Sequence, residues 1–355
     1  MAINFQPPAV AELEVSLFGP GTGECIVAHL GENEWMVVDS CTVENKVPVA
    51  LDYLTKLGVS ADRVKLIVIT HFHDDHIAGA SALIEACTSA EVFISGALTH
   101  EESISYSLAH ALDDVLVDKA KPSTYEIAKI IRSVEVGDRH IEFVGANQVL
   151  YRKNNVLVHS LSPSSRAIAQ SRLLFADRLL KVETDFRKLA NKLHPNLCAI
   201  ALHICNGVDT VLLGSDLEVS NDPALGWEAV VLNAKKPITT AALFKVPHHG
   251  SQNGHSEDVV NSMLREKPIS ILTTFDRSSL PREEDILRIK SYSDSLYFTS
   301  LPKVRAPVRS RAVEENILLV VKSRRVVTKD MGHIQVRMLN GVSTVLLNTH
   351  ASAAA

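Results

Sequence analysis

The stretch Thr-His-Phe-His-Asp-Asp-His-Ile-Ala-Gly, residues 70–79, places three histidines and two aspartates within six positions. A solvated turn is ordinarily built from Ser, Gly, Asn or Lys, so this density of imidazole and carboxylate groups indicates metal binding. His71 and His73 are separated by one residue, and their rings can bind one divalent ion. Asp75 and His76 follow on the turn into the next element and suit a second ion beside the first.

Two distant segments and one nearer aspartate also place polar side chains where apolar runs end. Asp216 follows Val-Leu-Leu-Gly-Ser, whose two small residues leave the carboxylate free to bridge two ions. His248 and His249 follow Leu-Phe-Lys-Val-Pro, and Asp39 follows Trp-Met-Val-Val. Each has an ordinary alternative. Asp216 could be a helix N-cap, His248 and His249 could be core or surface histidines, and Asp39 could initiate a turn. Their coincidence with the histidine cluster favours one shared site, in which Asp39 accepts a hydrogen bond from a ligand histidine.

The elements that must position these residues are strands that end at the polar positions. Runs rich in Val, Ile and aromatic residues predict strands over 13–19, 24–30, 34–40 and 64–70. The last run leads into the histidine cluster, and an alanine-rich stretch after it predicts a helix. Because α/β folds place their sites just beyond the carboxyl ends of strands, this strand–turn–helix order is informative. The Asn-Gly pair at 206–207 predicts a hairpin that leads to Asp216.

Composition indicates a single soluble domain. The chain has 355 residues, is 46% hydrophobic, carries a formal charge of −5 and contains no repeat or linker, so one domain over 1–355 is predicted. We expect a helical insertion around 164–196 and a flexible tail after residue 348. No apolar run approaches the roughly 18 residues of a membrane span, and no secretion signal opens the chain, which favours a cytoplasmic protein without a membrane partner. The five cysteines form no CxxC pair and are expected to be small buried hydrophobes.

The pattern His71-Phe-His73-Asp-Asp75-His76 resembles the HxHxDH signature of the metallo-β-lactamase superfamily. Four further segments are similar to the hydrolase domain of competence (DNA-uptake) channel proteins and its free-standing relatives: LFGPGTGECIVAHL, VVDS, LLGSDLE and KVPHHGS. The resemblance covers nearly the whole chain. It implies an α/β fold, a four-layer αββα sandwich, with a two-metal site between the sheet edges. It also implies hydrolysis, with phosphodiesters of nucleic acid or nucleotides as the favoured substrates.

The sequence departs from that resemblance at one position. Many superfamily members supply a further histidine before the bridging aspartate, and Ser162-Pro163 stand there in this chain. His159 lies nearby and is the alternative ligand, although strand alternation leaves its direction open. With one ligand missing, the first metal would be bound more weakly, which favours manganese or labile zinc. His203 is expected to be a core or face histidine and not a ligand.

We therefore expect a metallohydrolase, a phosphodiesterase or nuclease, with two divalent ions (zinc or manganese) about 3.5–4 Å apart that share a bridging hydroxide. The expected ligands are His71, His73 and Asp216 for one ion, and Asp75, His76, Asp216 and His248 for the other. Asp75 is expected to be essential for catalysis. His248 is preferred over His249 as a ligand because it directly follows the strand, and His249 or a water is then the proton donor. Gly250 and Ser251 offer backbone and hydroxyl donors to a phosphate.

Two other functions remain open. The same metal site could hydrolyse a carboxylic ester, thioester, lactam or lactone, because a fold does not determine its substrate. A non-catalytic partner-binding protein is the third function, and the intact ligand set argues against it. A polynucleotide substrate requires local positive charge. One basic segment spans 166–192, where a solvated helix face is the simpler interpretation, and a second comprises Lys303, Arg305, Arg309, Arg311, Lys322, Arg324 and Arg325.

Overall fold

Two β-sheets packed face to face form the centre of the molecule. The structure is a computed structural model, and it describes residues 2–97, 122–137, 139–179, 194–301 and 331–354. The strands are β1 (Leu13–Gly19), β2 (Cys25–His29), β3 (Trp35–Val38), β4 (Val64–Ile69), β5 (Glu91–Ser95), β6 (Ile141–Val144), β7 (Val149–Lys153), β8 (Val156–Ser160), β9 (Leu202–Cys205), β10 (Thr210–Leu213), β11 (Ala241–Lys245), β12 (Leu264–Leu272), β13 (Ser295–Phe298), β14 (Gly332–Leu339), β15 (Val342–Leu347) and β16 (Ser352–Ala353).

Helices cover the outer faces of both sheets. The α-helices are α1 (Val49–Lys56), α2 (Asp74–Ile77), α3 (Ala80–Ala86), α4 (Pro122–Val136), α5 (Ser165–Leu179), α6 (Gly226–Val231), α7 (Glu257–Met263) and α8 (Glu283–Lys290). Short 3-10 helices are Glu44–Lys46, Ala61–Arg63, Pro195–Cys198, His248–Gly250 and Gln252–Gly254.

Both sheets are mixed. Within the described residues the first sheet has the order β15-β14-β1-β2-β3-β4-β5-β6, and the second has the order β16-β13-β12-β11-β10-β9-β8-β7. In the first sheet, β3, β4, β5 and β6 run parallel to one another and the remaining neighbours are antiparallel. In the second, β10, β11, β12 and β13 form the parallel part. The predicted hairpin through residues 206–207 is confirmed as the antiparallel pair β9–β10.

Three apolar layers hold the four structural layers together. The central layer joins the facing sides of the sheets, the second joins the first sheet to α1, α3 and α4, and the third joins the second sheet to α6, α7 and α8. Strand β4 contributes to two of these layers, because its apolar residues alternate between its faces. Leu66 and Val68 face the other sheet, while Ile67 and Ile69 face the helices. Complete burial of such a side chain stabilises the fold by roughly 1.5–3 kcal/mol. The predicted αββα sandwich is confirmed.

The strand ends that carry the predicted site lie at one edge of the sandwich. Val38 pairs with Val68 in the parallel β3–β4 pair, and Leu213 pairs with Lys245 in the parallel β10–β11 pair. The carboxyl ends of parallel strands share an edge of their sheet. The backbone N–H of Ile200 donates to the carbonyl of Thr70 at 3.1 Å, and so joins the two sheets at this edge.

Two sequence-based expectations differ from the structure. The chain after residue 348 is not a free tail, because Ser352–Ala353 pairs with β13 as the edge strand β16. The helix expected after the histidine cluster is divided into α2 and α3 at Gly79, which has φ +79°. The expected insertion around 164–196 contributes α5 and the 3-10 helix Pro195–Cys198, while its residues 180–193 lie outside the described residues. In the part of the chain that is described, no helix is long and apolar enough to cross a bilayer.

A buried polar network lies on the outer face of the first sheet, between β1, β14 and α1. Glu14 accepts hydrogen bonds from the Tyr53 hydroxyl at 2.6 Å, from the Ser16 hydroxyl at 2.9 Å and from Arg337 Nε at 2.8 Å. His333 Nε2 lies 3.0 Å from the Ser16 hydroxyl oxygen, and its ring stacks on Phe18 with centroids 4.1 Å apart. Burial, with a smaller contribution from the charge of Lys56, lowers the pKa of His333 to about 3. His333 is therefore neutral in the folded protein at neutral pH.

This neutral histidine predicts a loss of stability in mild acid. The unfolded chain takes up a proton near its ordinary pKa of about 6.5, whereas the folded chain does not, so stability is present above that pKa and falls below it. Lowering the pH from about 7.5 to about 5.5 should reduce the free energy of unfolding by about 1.4 kcal/mol through His333 alone. Urea unfolding of wild type and His333→Gln, with chelator present, should show the smaller pH dependence in the variant. Equal dependence in both proteins would contradict a neutral buried His333.

Candidate metal centre

Asp75, His76, Asp216 and His249 form a compact group where the two sheets meet. One ligand atom from each lies within 4.8 Å of the others. His76 Nε2 is 3.5 Å from Asp75 Oδ2 and 3.5 Å from Asp216 Oδ2. His249 Nε2 is 3.3 Å from Asp75 Oδ2 and 3.7 Å from Asp216 Oδ2. Two imidazole nitrogens and two carboxylate oxygens thus surround one point. We call these four residues the inner group.

The donor atoms of the inner group fit a divalent ion. His76 Nε2 and Asp216 Oδ1 are buried and have no hydrogen-bond partner. Leaving a buried polar atom without a partner costs about 1–3 kcal/mol, so such atoms indicate a missing ligand. Ligands about 2.0–2.2 Å from a tetrahedral ion lie about 3.3–3.6 Å from one another, close to the spacing of the inner group. The residues present therefore fit a metal of the zinc or manganese type.

The charges of the inner group shift the pKa values of its own members. Burial disfavours the charged form of His76, but the carboxylates of Asp216, Asp75 and Asp39 outweigh it and hold the pKa of His76 well above its ordinary value. Burial likewise opposes ionisation of Asp216, and the charges of His249 and His76 outweigh it, so that its pKa falls well below the usual range. The carboxylates around His76 therefore favour positive charge at this point, which is the charge that a divalent ion would supply.

Asp39 orients two of the predicted histidines, as its position at a strand end suggested. Its carboxylate accepts hydrogen bonds from His76 Nδ1 at 2.7 Å and from the Thr70 backbone N–H and hydroxyl at 2.7 Å each. The Thr70 hydroxyl oxygen lies 3.0 Å from His71 Nδ1. Because both histidines use Nδ1 in this way, their Nε2 atoms point toward the site. Asp39 itself has φ 58°, a strained backbone conformation that occurs at functional sites.

His71 and His73 lie beside the inner group. Their rings are 4.5 Å apart between centroids, and His71 Nε2 is 3.0 Å from His73 Nδ1. The His71 ring lies 4.3 Å from that of His76. Burial, followed by the charges of neighbouring histidines, lowers the pKa of both His71 and His73. Both imidazoles are therefore neutral, which is the form that binds a metal. Their role as ligands of a second ion stays a prediction.

The preference for His248 over His249 as a ligand does not agree with the positions of the two rings. His249 lies in the inner group, while His248 Nδ1 pairs with Glu218 Oε1 at 2.9 Å. The cause is the backbone: His248 and His249 both have positive φ, 48° and 53°, so the chain turns sharply after Pro247 and directs the second ring inward. Strand alternation cannot foresee a turn of this kind.

The backbone N–H groups after this pair are not available as the sequence suggested. The backbone N–H of Gly250 donates to the Pro247 carbonyl at 3.0 Å, and that of Ser251 donates to the His248 carbonyl at 2.9 Å. Both N–H groups are used within the turn and are not free to bind a phosphate. The Ser251 hydroxyl as a phosphate donor stays a prediction.

Ser162 does not take part in the metal centre. It is buried, its hydroxyl donates to the Ala199 carbonyl at 2.6 Å, and it accepts from the backbone N–H of Ala201 at 2.8 Å. His159 pairs in register with His203 on the neighbouring strand β9. Neither of these histidines is in the metal-binding groups found among the described residues. His203 is buried and contacts the Thr239 carbonyl at 3.1 Å, as expected of a core or face histidine.

Sequence reasoning missed several residues that contact the site, among them Glu24, Lys245 and Glu218. Glu24 and Lys245 are buried and form an ion pair of 2.6 Å next to Asp216, and Glu218 holds His248. The signal for Lys245 was present in the sequence: it is the single charged residue in the apolar run Ala-Leu-Phe-Lys-Val-Pro, which forms a strand covered on both faces. A lysine is almost never fully buried unless it is paired.

The chain is similar to one family model and to several solved structures. Residues 18–100 match the family model of the metallo-beta-lactamase superfamily. Among solved structures, the metallo-beta-lactamase fold protein YhfI from Bacillus subtilis is 13% identical, with a TM-score of 0.43, over 80% of this chain and 94% of that protein. Human tRNase Z, short form, is 13% identical, with a TM-score of 0.37, over 74% and 92% of the two chains. No curated protein matches the sequence.

The matched residues run from the end of β1 past β5 and include Asp39 and the histidine cluster. Together with the αββα sandwich, the match identifies the metallo-β-lactamase fold. The narrower resemblance to the hydrolase domain of DNA-uptake proteins stays a prediction.

The inner group predicts metal-dependent stabilisation that requires Asp75. Zinc or manganese at about 100 times its dissociation constant should stabilise the chelator-stripped wild-type protein by about 2.7 kcal/mol. Asp75→Ala should fold but lose most of this gain, because one of the four ligands is removed. Thermal melting with and without metal measures the effect. Asp74→Ala is the matched control, since Asp74 is the exposed neighbour and should keep the full gain. An Asp75→Ala protein stabilised as much as wild type would refute the ligand assignment.

Proposed function

We propose that this chain is a metal-dependent hydrolase that cleaves phosphodiester bonds of nucleic acid or nucleotides. The observation that carries the proposal is the inner group, in which two buried imidazoles meet two carboxylates while His76 Nε2 and Asp216 Oδ1 have no hydrogen-bond partner. Nothing in the apolar core requires this arrangement. Buried groups with perturbed pKa values at the carboxyl ends of strands are the usual mark of a catalytic site in an α/β fold.

The ligand set has room for two divalent ions. Asp75, His76, Asp216 and His249 would hold one ion, and His71 and His73 would hold the second with Asp216 shared between the two. When bound, such ions polarise the scissile phosphoester and make water a nucleophile at neutral pH. The position at His71 and His73 would be short of one nitrogen ligand, because Ser162 stands where a further histidine was expected and its hydroxyl donates to the backbone. Fewer nitrogen ligands reduce the advantage of zinc, so manganese is a suitable ion for this position.

His248 is the residue of this chain best placed to contact the substrate. Its ring lies 6.2 Å from that of His249 between centroids, and its side chain is 21% exposed. Glu218 fixes the ring through Nδ1, and Asn196 Nδ2 lies 3.3 Å from Nε2. Burial opposes ionisation of Glu218, but its contact with His248, followed by the charge of His194, outweighs burial and lowers the Glu218 pKa. A carboxylate that orients a half-exposed histidine beside a metal site suits contact with a phosphoryl oxygen.

A phosphodiester substrate is supported by the sequence resemblance and by the distribution of histidines. His194, whose side chain is 58% exposed, pairs with Glu218 at 3.3 Å and so lies beside His248. His73 is partly exposed next to them. The rim of the site therefore presents nitrogen donors to an anionic group, although the whole chain has a formal charge of −5. Of the basic segments expected from the sequence, the one that begins at Lys303 lies outside the described residues.

Substrate class can be tested with a panel. We expect turnover of bis-p-nitrophenyl phosphate and of labelled single-stranded DNA, double-stranded DNA or RNA by protein reconstituted with zinc or manganese, and none after chelation. Cleavage of a polynucleotide should fall steeply with salt, since phosphate contacts carry its affinity, whereas cleavage of the small diester should not. Asp75→Ala, prepared in parallel, controls for contaminating nuclease. Turnover of a thioester, lactone or nitrocefin without any phosphodiester cleavage would overturn the proposal in favour of the ester and lactam alternative.

The two adjacent histidines should separate into different roles. His249→Gln should weaken metal binding because it removes a ligand of the inner group, and activity should fall with it. His248→Gln should keep the metal dissociation constant of wild type and lower kcat by about 100-fold, the effect of losing one hydrogen bond to a reacting group. Metal titration and steady-state kinetics on both variants measure the difference. The reverse pattern, with metal binding lost only in His248→Gln, would restore His248 as the ligand.

A further inference from the structure

Glu24 is a buried carboxylate that lies next to the inner group without belonging to it. It directly precedes β2, in the loop after Pro-Gly-Thr-Gly, and is 1% exposed. Its carboxylate lies within 4.8 Å of the nearest side-chain atoms of Asp39 and His76. Both of its oxygens are already engaged, Oε1 by Lys245 Nζ at 2.6 Å and Oε2 by the Thr273 hydroxyl at 2.5 Å. A carboxylate with both oxygens engaged in this way is suited to positioning and not to binding an ion.

The first link from Glu24 to the inner group runs through the backbone. The Glu24 N–H donates to the carbonyl of Asp75 at 2.8 Å. This bond ties the loop between β1 and β2 to the turn that carries Asp75. The glycine before Glu24 permits the approach, because a Cβ at Gly23 would lie 2.9 Å from the Cβ of Cys41.

The second link reaches His249 through a hydroxyl. His249 Nδ1 lies 2.9 Å from the Thr273 hydroxyl oxygen and 3.2 Å from the Thr273 carbonyl. The Thr273 hydroxyl donates to Glu24 and is therefore the acceptor for the N–H on Nδ1 of His249. This chain of bonds keeps the proton on Nδ1 and leaves Nε2 free to face the inner group. A Cβ at Gly19 would lie 2.6 Å from the methyl carbon of Thr273, so only glycine lets β1 approach this residue.

The third link reaches Asp216 through a buried ammonium. Lys245 is 0% exposed, donates to the Ser215 carbonyl at 2.9 Å, and places Nζ 3.9 Å from Asp216 Oδ1. A buried charge is retained only when it is paired and hydrogen-bonded. Glu24 is that partner, and the pair holds the segment that carries Asp216 against the end of β11.

We infer that Glu24 is the positioning residue for three of the four residues of the inner group. Its backbone N–H holds the turn that carries Asp75. Its carboxylate acts on His249 through Thr273 and on Asp216 through Lys245. The inference rests on the proposed metal site. Two buried carboxylates would then orient the site: Asp39 orients His71 and His76, and Glu24 orients the other three residues of the inner group. Removal of a link should therefore weaken metal binding, whereas a purely structural ion pair would affect stability alone.

The link through Thr273 gives the sharpest test. Thr273→Val keeps the shape of the side chain but removes the hydroxyl, and Thr273→Ser restores the hydroxyl. Zinc and manganese dissociation constants of the chelator-stripped full chain are measured by competition with a chromogenic chelator, well below the melting temperature. We expect Thr273→Val to bind about 10- to 100-fold more weakly than wild type, the usual effect of losing a partner of a ligand histidine, and Thr273→Ser to bind as wild type does.

The chain supplies a matched control on the outer face of the first sheet. There the Ser16 hydroxyl donates to Glu14 at 2.9 Å and lies 3.0 Å from His333 Nε2, which is the same histidine–hydroxyl–carboxylate arrangement away from the metal centre. Ser16→Ala should lower the melting temperature without changing either dissociation constant. Wild-type metal affinity in Thr273→Val would overturn the inference and leave the proposed function standing. Wild-type protein that binds neither ion would overturn both.

A second pair of variants covers the case in which Thr273→Val fails to fold. The double variant Glu24→Gln/Lys245→Met removes both charges of the pair without leaving either one unpaired. Its control, Glu14→Gln/Arg337→Met, removes the buried pair of 2.8 Å on the outer face. We expect weaker metal binding by at least 10-fold in the first double variant only. Equal dissociation constants in the two double variants would show that Glu24 and Lys245 serve stability and not the ligands.

Discussion

The placement of two carboxylates and two imidazoles within 4.8 Å of one another is the constraint on which the rest of this structure depends. Asp75 and Asp216 repel each other in a buried setting, and only a cation between the ligands removes that repulsion. The three surrounding carboxylates raise the pKa of His76, which shows that positive charge is favoured at this point. A divalent ion would supply that charge and also a partner for His76 Nε2 and Asp216 Oδ1, which have no hydrogen bond.

The sandwich meets this constraint by bringing together two sheet edges from distant parts of the chain. Asp75 and His76 follow a parallel strand of the first sheet, while Asp216 and His249 follow parallel strands of the second. Neither sheet carries a complete ligand set. The hydrogen bond between Ile200 and Thr70 and the bond between Glu24 and Asp75 join the segments at this edge. The large apolar layer between the sheets therefore fixes the position of the ligands on one sheet relative to the ligands on the other.

Rigidity around the ligands comes at a local cost. Asp39, Ser215, His248 and His249 all have positive φ, and none of them is glycine. Each such residue costs of order 1–3 kcal/mol, so the surrounding structure must hold it in place. The hydrogen bonds of Asp39 and the Glu24–Lys245 pair lie where this strain is concentrated. The apolar burial of both sheets offsets the backbone strain and the buried charges at this edge. Strained residues and buried charges are expected to lie together at a functional site.

Much of this protein follows from its sequence by local rules. Continuous apolar runs that end in His71 or Asp216 determine buried strands with polar ends, and the HxHxDH spacing determines which side chains can share an ion. Asp39 could also be expected beside a ligand histidine, because it ends a predicted strand, as the histidine cluster does. The four-layer fold followed from the resemblance to a known family. The sequence permits these inferences because strand periodicity and metal–ligand spacing are properties of a few neighbouring residues.

Only the tertiary structure decided the features that depend on the exact path of the backbone or on contacts between residues far apart in the chain. The turn at His248–Gly250 reverses which of two adjacent histidines faces the site, and its positive φ values have no signature in strand alternation. The role of Glu24 depends on Thr273 and Lys245, which are more than 200 residues away, and its contacts exist only once both sheets are packed. The edge strand at Ser352–Ala353 likewise needs β13 as its partner. A sequence specifies such contacts only through the complete fold, because each is a distance between segments that no local pattern encodes.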